Sequence, residues 1–249
     1  MTLIRSNPRF KTERARFFSE RFNQGEISLE AIERIFRQVD LLCNAINEKT
    51  GNNIDAEEMY GMVIGLMNAG EGGPVNAGER DPANTADRGT ANADRAAAAL
   101  AAVDIAGLCR DMEDLFLTYP PALYDGDTLP ALEALRTAAG PSVSFSLLSN
   151  TAFVKGRTLR KALPGLGLDG WFDFALYSDE AGMSKPNPAL FRLMLDTVAV
   201  NRGGIDPADV LHVGDNPVAD IAGASAAGID GWLVNSNNRP LGSLTLKRL

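Results

Sequence analysis

Apolar residues in the first half of the chain recur at intervals of three and four positions, the spacing of one face of an α-helix. The clearest series contains Leu29, Ile32, Ile35, Phe36, Val39, Cys43 and Ile46. Asp55 followed by Glu58 matches the capping box with which many helices begin. A second apolar series follows that box at Met59, Met62, Val63 and Leu66. The pattern therefore predicts two consecutive helices.

The segment 68–94 interrupts the helical pattern. It reads NAGEGGPVNAGERDPANTADRGTANAD and contains almost no large apolar residue. Such a segment cannot bury enough apolar surface to offset the entropy lost on ordering, so we interpret it as a flexible insertion. The helical pattern resumes at Arg95 and ends at Pro120 and Pro121, because proline does not continue a helix.

Short apolar runs separated by helix-like segments characterise the second half. The runs are VSFSLL at 143–148, VLHVG at 210–214 and GWLVN at 231–235. Strands that alternate with helices are typical of an α/β domain with a parallel sheet. We therefore predict a helical domain over residues 1–120 and an α/β domain over residues 121–249.

Polar residues follow the strand-like runs, where ligands bind in open α/β sheets. Ser149 and Asn150 come directly after one run, and Asp215 follows another, with Asp220 in the next helix. Lys185 lies between them in the sequence SKPNP, just before a helix-like segment. A lysine and a hydroxyl suit phosphoryl oxygens, and carboxylates suit a hard cation such as Mg²⁺. Together these residues predict a phosphate-and-cation site.

Each of these residues also has a purely structural interpretation. Ser149 and Asn150 could cap a helix, and Asp220 suits the first turn of a helix whatever its function. Lys185 could be an ordinary surface lysine. His212, the single histidine, lies inside VLHVG and is predicted to be a packed residue.

Composition and charge limit the range of functions. The formal charge is -8, which argues against a nucleic-acid partner. No apolar run approaches the roughly 20 residues that span a bilayer, and no signal-peptide pattern opens the chain, so we expect a cytoplasmic protein without a membrane partner. Cys43 and Cys109 are expected to pack as small apolar groups rather than to form a disulfide.

Basic residues are concentrated near the start of the chain, where they allow two interpretations. They are Arg5, Arg9, Lys11, Arg14, Arg16 and Arg21. In the simpler interpretation they form the solvated face of a helix. In the other they form a rim that attracts anionic substrates.

The order of three motifs is similar to that of the haloacid dehalogenase-like (HAD) hydrolase superfamily. S-N at 149–150, K-P-N-P at 185–188 and G-D-x-x-x-x-D at 214–220 resemble its motifs II, III and IV. The resemblance covers about residues 122–236 and implies a Rossmann-like core, with residues 9–120 in the position of a helical cap. It implies that Ser149 binds the phosphoryl group and that Lys185 holds the nucleophile and the phosphate together. Asp215 would ligate Mg²⁺, with Asp220 supporting or sharing that role.

Motif I of this family, an apolar strand ending in D-x-D-x-T, has two candidates. DGDT at 125–128 follows two prolines, which make a poor central strand. The opening MTL resembles the tail of the motif, with Thr2 as its threonine and Leu3 after it. On this second interpretation the nucleophilic aspartate and the general acid lie before Met1, and the chain begins about one strand late.

Loss of that central strand carries a predicted structural cost. It would leave about ten backbone groups on the neighbouring strands without hydrogen-bond partners. At roughly 1–3 kcal/mol for each unpaired group, the total cost exceeds the typical free energy of unfolding of a protein. We therefore expect that such a chain folds poorly, fills the gap with another segment or closes it with altered pairing.

The leading functional hypothesis is a Mg²⁺-dependent phosphatase of small phosphorylated metabolites, acting through an aspartyl-phosphate. The chain as written lacks the nucleophile, so we expect weak or no turnover from it. A non-catalytic domain that binds a phosphorylated ligand or a protein is the alternative. A haloacid dehalogenase is less favoured, because that branch works without a metal whereas Asp215 and Asp220 suggest one. Neither the substrate nor the oligomeric state follows from the sequence.

Overall fold

The computed structural model describes residues 2–23, 27–69, 97–98, 100–140 and 143–244. Most of the predicted insertion at 68–94 lies outside these residues. The first half forms the helices α1 (Pro8–Phe22), α2 (Leu29–Thr50), α3 (Ala56–Asn68) and α4 (Ile105–Thr118). Within the described part of the chain, no helix is both long and apolar enough to cross a membrane.

Local signals account for the bounds of these helices. Helix α2 begins after Ser28, whose side chain accepts a hydrogen bond from the Ala31 N–H, and ends at Gly51 in the left-handed conformation. The predicted capping box of α3 is confirmed, because Asp55 and Glu58 bond to each other's backbone N–H groups. Helix α4 ends at Thr118, just before the two prolines.

An aromatic cluster forms the centre of the helical half. Phe18 lies 4.9 Å from Phe36 and 5.7 Å from Tyr60, measured between ring centroids. Phe153, from the second half of the chain, lies 5.1 Å from Phe36 and 5.2 Å from Tyr60. The Tyr60 hydroxyl also donates a hydrogen bond to the Phe153 carbonyl at 2.9 Å. This cluster therefore joins the helices to the loop that carries Phe153.

Both cysteines are expected to resist modification in the folded protein. Cys43 and Cys109 are buried and free, as the sequence predicted. Burial raises the pKa of both thiols, that of Cys109 to about 12, so very little reactive thiolate forms at neutral pH. Ellman's reagent at pH 8 should react with neither thiol in the native protein and with both in denaturant. Rapid reaction of the native protein would contradict this prediction.

The second half contains two separate parallel strand pairs. The strands are β3 (Ser146–Ser149), β4 (Phe174–Tyr177), β5 (Leu211–Gly214) and β6 (Asp230–Leu233). Strand β3 pairs with β4, and β5 pairs with β6. The helices around them are α5 (Thr128–Ala139), α6 (Gly156–Ala162), α7 (Ser178–Ala181), α8 (Pro188–Arg202) and α9 (Gly223–Ala226). The predicted parallel pairing is confirmed.

The free edges of β3 and β5 border a common cavity of about 1420 Å³. Among the described strands these two do not pair with each other. The cavity lining includes Leu147 and Leu148 from β3 and His212 and Val213 from β5. The described strands therefore form two separate parallel pairs, with the cavity lying between β3 and β5.

A short antiparallel pair holds the start of the chain against the second half. Strand β1 (Ile4–Arg5) pairs with β2 (Ala122–Leu123). Leu3 and Ile4 pack in one apolar cluster with Val213 of strand β5. The first residues thus lie beside the α/β part rather than with the helices, and the domain boundary at 120 stays a prediction.

Candidate phosphate and cation site

All five residues predicted for the site line the cavity between β3 and β5. They are Ser149, Asn150, Lys185, Asp215 and Asp220. Ser149 ends β3, and Asp215 directly follows β5. Because parallel strands place their carboxyl ends at one edge of a sheet, residues far apart in sequence meet there.

A buried ion pair joins Lys185 to Asp220. The Lys185 Nζ atom lies 2.6 Å from Asp220 Oδ1, and the two side chains are 10% and 6% exposed. His212 Nε2 lies 3.1 Å from the same oxygen. Asp220 Oδ2 accepts a hydrogen bond from the Asn216 backbone N–H at 2.8 Å. Both carboxylate oxygens are therefore engaged within the protein.

Electrostatic partners keep Asp220 ionised. Burial alone raises its pKa, but the hydrogen bond with His212 and the charge of Lys185 outweigh burial and hold the pKa well below its usual range. Burial lowers the pKa of His212, so its imidazole is neutral at pH 7. An ionised Asp220 only accepts hydrogen bonds, so the His212 tautomer must carry its proton on Nε2. Asp220 is thereby a fixed negative charge that orients Lys185.

Gly214 gives the Asp220 carboxylate its space. A Cβ atom at position 214 would lie 2.1 Å from Asp220 Cγ, far inside van der Waals contact. The following turn is a π-helix over Pro217–Ala222, which begins after Asn216. Asn216 caps it by accepting hydrogen bonds from the Val218 and Ala219 N–H groups. The glycine and this cap explain why Asp220 can point back toward β5.

Asn150 connects the loop after β3 to the backbone of Lys185. Its amide nitrogen donates to the Lys185 carbonyl at 3.0 Å, and its amide oxygen accepts from the Lys185 N–H at 2.8 Å. The Lys185 side chain in turn donates to the Leu148 carbonyl of β3 at 2.9 Å. The geometry therefore makes Asn150 a positioning residue for Lys185, while its predicted contact with substrate stays a prediction.

Thr2, the residue that resembles the motif I threonine, lies beside Asp215. Its hydroxyl donates to Asp215 Oδ1 at 2.9 Å, and its carbonyl accepts from Asn235 Nδ2 at 3.2 Å. The other motif I candidate lies elsewhere. Asp125 accepts hydrogen bonds from the Asp127 N–H and the Thr128 hydroxyl, in the turn that begins α5. None of these three residues lines the large cavity.

The loop between α2 and α3 lies against the Lys185 loop, a contact that the sequence did not reveal. The Gly51 carbonyl accepts hydrogen bonds from the Ser184 N–H at 3.0 Å and from Asn187 Nδ2 at 3.1 Å. Glu48 accepts from Asn216 Nδ2 at 2.8 Å. In the sequence, Gly51 looks like an ordinary helix end and Glu48 like an ordinary surface carboxylate. The helical half therefore contacts both loops of the site.

A metal centre made entirely of protein side chains is not evident. Among the described residues, no group of three or more His, Cys, Asp or Glu side chains is placed to hold a metal ion. Mg²⁺, however, commonly binds through one or two carboxylates together with water and substrate phosphate. The Asp215 carboxylate, on the cavity wall, fits that smaller requirement.

The parallel strand pairs and the helices around them define an α/β protein whose first half is helical. The sequence model of the haloacid dehalogenase-like hydrolases matches residues 2–228. The chain therefore belongs to the haloacid dehalogenase-like hydrolase family. This confirms the predicted family and its fold class, a Rossmann-like α/β core with a helical cap.

Several relatives share this similarity over part of the chain. Haloacid dehalogenase-like hydrolase domain-containing protein 3 from Mus musculus is 40% identical over 87 residues, which are 35% of this chain and 32% of the relative. Phosphoserine phosphatase from Thermus thermophilus is 40% identical over 81 residues, 32% of this chain and 30% of the relative. The matched stretches thus span about a third of these relatives.

One solved structure illustrates the fold. It is the HAD-hydrolase YfnB from Bacillus subtilis bound to magnesium, with a TM-score of 0.58. The superposition covers 95% of this chain and 86% of that one at 15% sequence identity. At this identity the likeness shows the fold alone.

Proposed function

We propose that this protein is a Mg²⁺-dependent phosphatase of small phosphorylated metabolites. The observation that carries the proposal is that Ser149, Lys185 and Asp215 line one cavity at the carboxyl ends of parallel strands. A hydroxyl, a fixed cation and a carboxylate are the groups that phosphoryl transfer requires for charge stabilisation. The similarity to a phosphoserine phosphatase supports the same class of reaction.

Each residue has a definite role in this proposal. Lys185, oriented by Asp220, and the Ser149 hydroxyl bind the phosphoryl oxygens. Asp215 holds Mg²⁺, which supplies Lewis-acid stabilisation of phosphoryl charge. Asn150 and His212 do not contact the substrate in this proposal. Asn150 positions Lys185, and His212 positions Asp220.

The proposal assigns the nucleophile to an aspartate at the end of an extended strand between β3 and β5. Two facts support that position. The edges of β3 and β5 border one cavity, and Thr2 is bonded to Asp215 at the end of β5 where such a strand would finish. A strand there would pair with both edges and complete a continuous parallel sheet. Its aspartate would then lie near Lys185 and attack phosphorus in line.

The test compares the 249-residue chain with a longer protein that includes the in-frame residues encoded before Met1. We expect the longer protein, if it adds an apolar run ending in D-x-D, to hydrolyse p-nitrophenyl phosphate with Mg²⁺ while the shorter one turns over weakly or not at all. Asp215→Asn in the longer protein should lower kcat about 100-fold or more, because it removes the metal ligand.

Asp125→Asn is the matched control, since Asp125 lies outside the cavity and should leave hydrolysis unchanged. The assignment is wrong if Asp215→Asn retains full Mg²⁺-stimulated activity, or if the 249-residue chain is fully active and Asp125→Asn abolishes that activity.

A non-catalytic phosphate-binding domain is the second candidate. It is favoured by the hydrogen bonds within the site, because Asn150 holds the Lys185 backbone and Asp220 holds the Lys185 side chain. Unrelated residues or a stop codon before Met1, combined with phosphate binding by the 249-residue chain, would support this candidate over the enzyme.

A further inference from the structure

Glu48 of helix α2 is bonded to the loop that carries Asp215. Its Oε1 atom accepts a hydrogen bond from Asn216 Nδ2 at 2.8 Å, and Asn216 directly follows Asp215 in the chain. Glu48 and Asp215 both line the large cavity. One carboxylate of the helical half is therefore in direct contact with the loop of the candidate cation site.

Other carboxylates of α2 lie at the surface and have ordinary roles. Glu33 pairs with Arg37 one turn further along the helix, and Glu30 is exposed in the first turn. Glu48 differs because it is partly buried and, among the described residues, bonds to a neutral amide rather than to an arginine or lysine. Partial burial of a carboxylate without a paired cation is unfavourable, so stability alone does not explain its position.

Asn216 determines the path of the loop directly after Asp215. Its amide oxygen accepts hydrogen bonds from two N–H groups of the following π-helix, so its amide nitrogen must face the other way, toward Glu48. Its backbone N–H donates to Asp220 Oδ2 at 2.8 Å. The bond from Glu48 is therefore a restraint on a residue that contacts the rest of the site.

The end of α2 is held in place independently of Glu48. The carbonyl of Gly51, the residue after the helix, accepts hydrogen bonds from the Ser184 N–H and from Asn187 Nδ2. Gly51 has a φ of +71°, and a Cβ atom there would lie 3.0 Å from Asn187 side-chain atoms, so the position requires glycine. Glu48 lies about one turn before this fixed point, which places its carboxylate beside Asn216.

We propose that Glu48 is a positioning residue of the cation site, which holds the Asp215 loop through Asn216 without touching the cation. The inference rests on the proposed function, in which Asp215 binds the cation. Hydrogen-bonded residues around metal ligands commonly change metal affinity 10- to 100-fold when they are removed. Since Glu48 acts here through a hydrogen bond, its oxygen acceptor is essential and its negative charge is not.

The experiment titrates Mn²⁺, as a probe for Mg²⁺, into the 249-residue chain and measures free Mn²⁺ by electron paramagnetic resonance, so that it needs no turnover. We expect the wild-type protein to bind Mn²⁺ and Asp215→Asn to abolish binding. Glu48→Ala should weaken binding about tenfold. Glu48→Gln keeps an oxygen acceptor for Asn216 and should restore the wild-type affinity.

Glu30→Ala is the matched control, because Glu30 is an exposed carboxylate of the same helix and should leave the affinity unchanged. Alanine favours helix and Glu48 is only partly buried, so Glu48→Ala is expected to fold, which urea unfolding verifies. The inference is overturned if Glu48→Ala binds Mn²⁺ as tightly as the wild type. It is also overturned if Glu48→Gln binds as weakly as Glu48→Ala, because charge would then explain the effect.

Failure of the proposed function gives a different result. If the wild-type protein binds no Mn²⁺, or if Asp215→Asn binds it equally well, the cation site itself is wrong and the inference fails with it. If Asp215 is required for binding and Glu48 is not, only the inference fails.

Discussion

Lys185→Ala is expected to lower the free energy of unfolding by about 3–5 kcal/mol, because it leaves the buried Asp220 carboxylate without its cation. The Asp220 side chain is only 6% exposed, so hydration cannot replace the lost interaction with Lys185. His212 remains beside it and offers only one hydrogen bond. Urea unfolding followed by circular dichroism measures the loss.

Two variants separate the ion pair from general effects of truncation. Lys161→Ala removes an exposed lysine and should change the free energy of unfolding by less than about 0.5 kcal/mol. Adding Asp220→Asn to Lys185→Ala should restore part of the lost stability, because it removes the unpaired negative charge of Asp220. Additive losses in the double variant would show that the pair does not couple in the folded protein.

Phe36→Ala is expected to destabilise the protein by about 3–5 kcal/mol, through a cavity at the centre of the aromatic cluster. Phe36 is 2% exposed and contacts Phe18 and Phe153. It also packs on the Arg14 guanidinium, so its loss should disorder that side chain as well. Thermal and urea unfolding measure the change in stability.

The control lies on the same helix. Leu41 of α2 is 70% exposed, so Leu41→Ala should lower the free energy of unfolding by less than about 0.5 kcal/mol. A loss of less than about 1 kcal/mol for Phe36→Ala would contradict the packing described for the cluster.

The helices and the order of the motifs were readable from the sequence. The period of the apolar residues predicted α2, and Asp55 with Glu58 predicted the start of α3, because helix formation depends on neighbours three and four residues apart. The strand predicted at VSFSLL, residues 143–148, begins three residues later than predicted, at Ser146. Strand bounds depend on partners distant in sequence, so periodicity locates them less well.

The residues of the candidate site could be predicted from the sequence, but the hydrogen bonds and ion pairs between them could not. Resemblance predicted Ser149, Lys185, Asp215 and Asp220, and the structure places all four on one cavity. It did not predict that Asp220 is fully engaged by Lys185, His212 and Asn216, and its role as a metal ligand stays a prediction. His212 was predicted to be a packed residue, and it packs on Phe191 with its ring 5.1 Å away.

The sequence does not show which of the basic residues near the start of the chain are buried and which are exposed. Only the tertiary structure distinguishes them. In the sequence Arg14 and Arg16 are neighbours of the same type, and either fits a solvated face. In the structure Arg16 pairs with Glu13 at the surface, whereas Arg14 packs among three aromatic rings from α1, α2 and the loop after β3. No local pattern encodes that difference, because it depends on which helix face meets which loop.

By itself the sequence determined the helical first half, the parallel strands of the second and the family. These follow from local periodicity and from short motifs whose residues are close together in the chain. The tertiary structure decided the separation of the strand pairs around a cavity, the bonding of Asp220 and the burial of the Arg14 Nε–H. Each of these depends on contacts between residues far apart in sequence, whose geometry arises only when the elements pack.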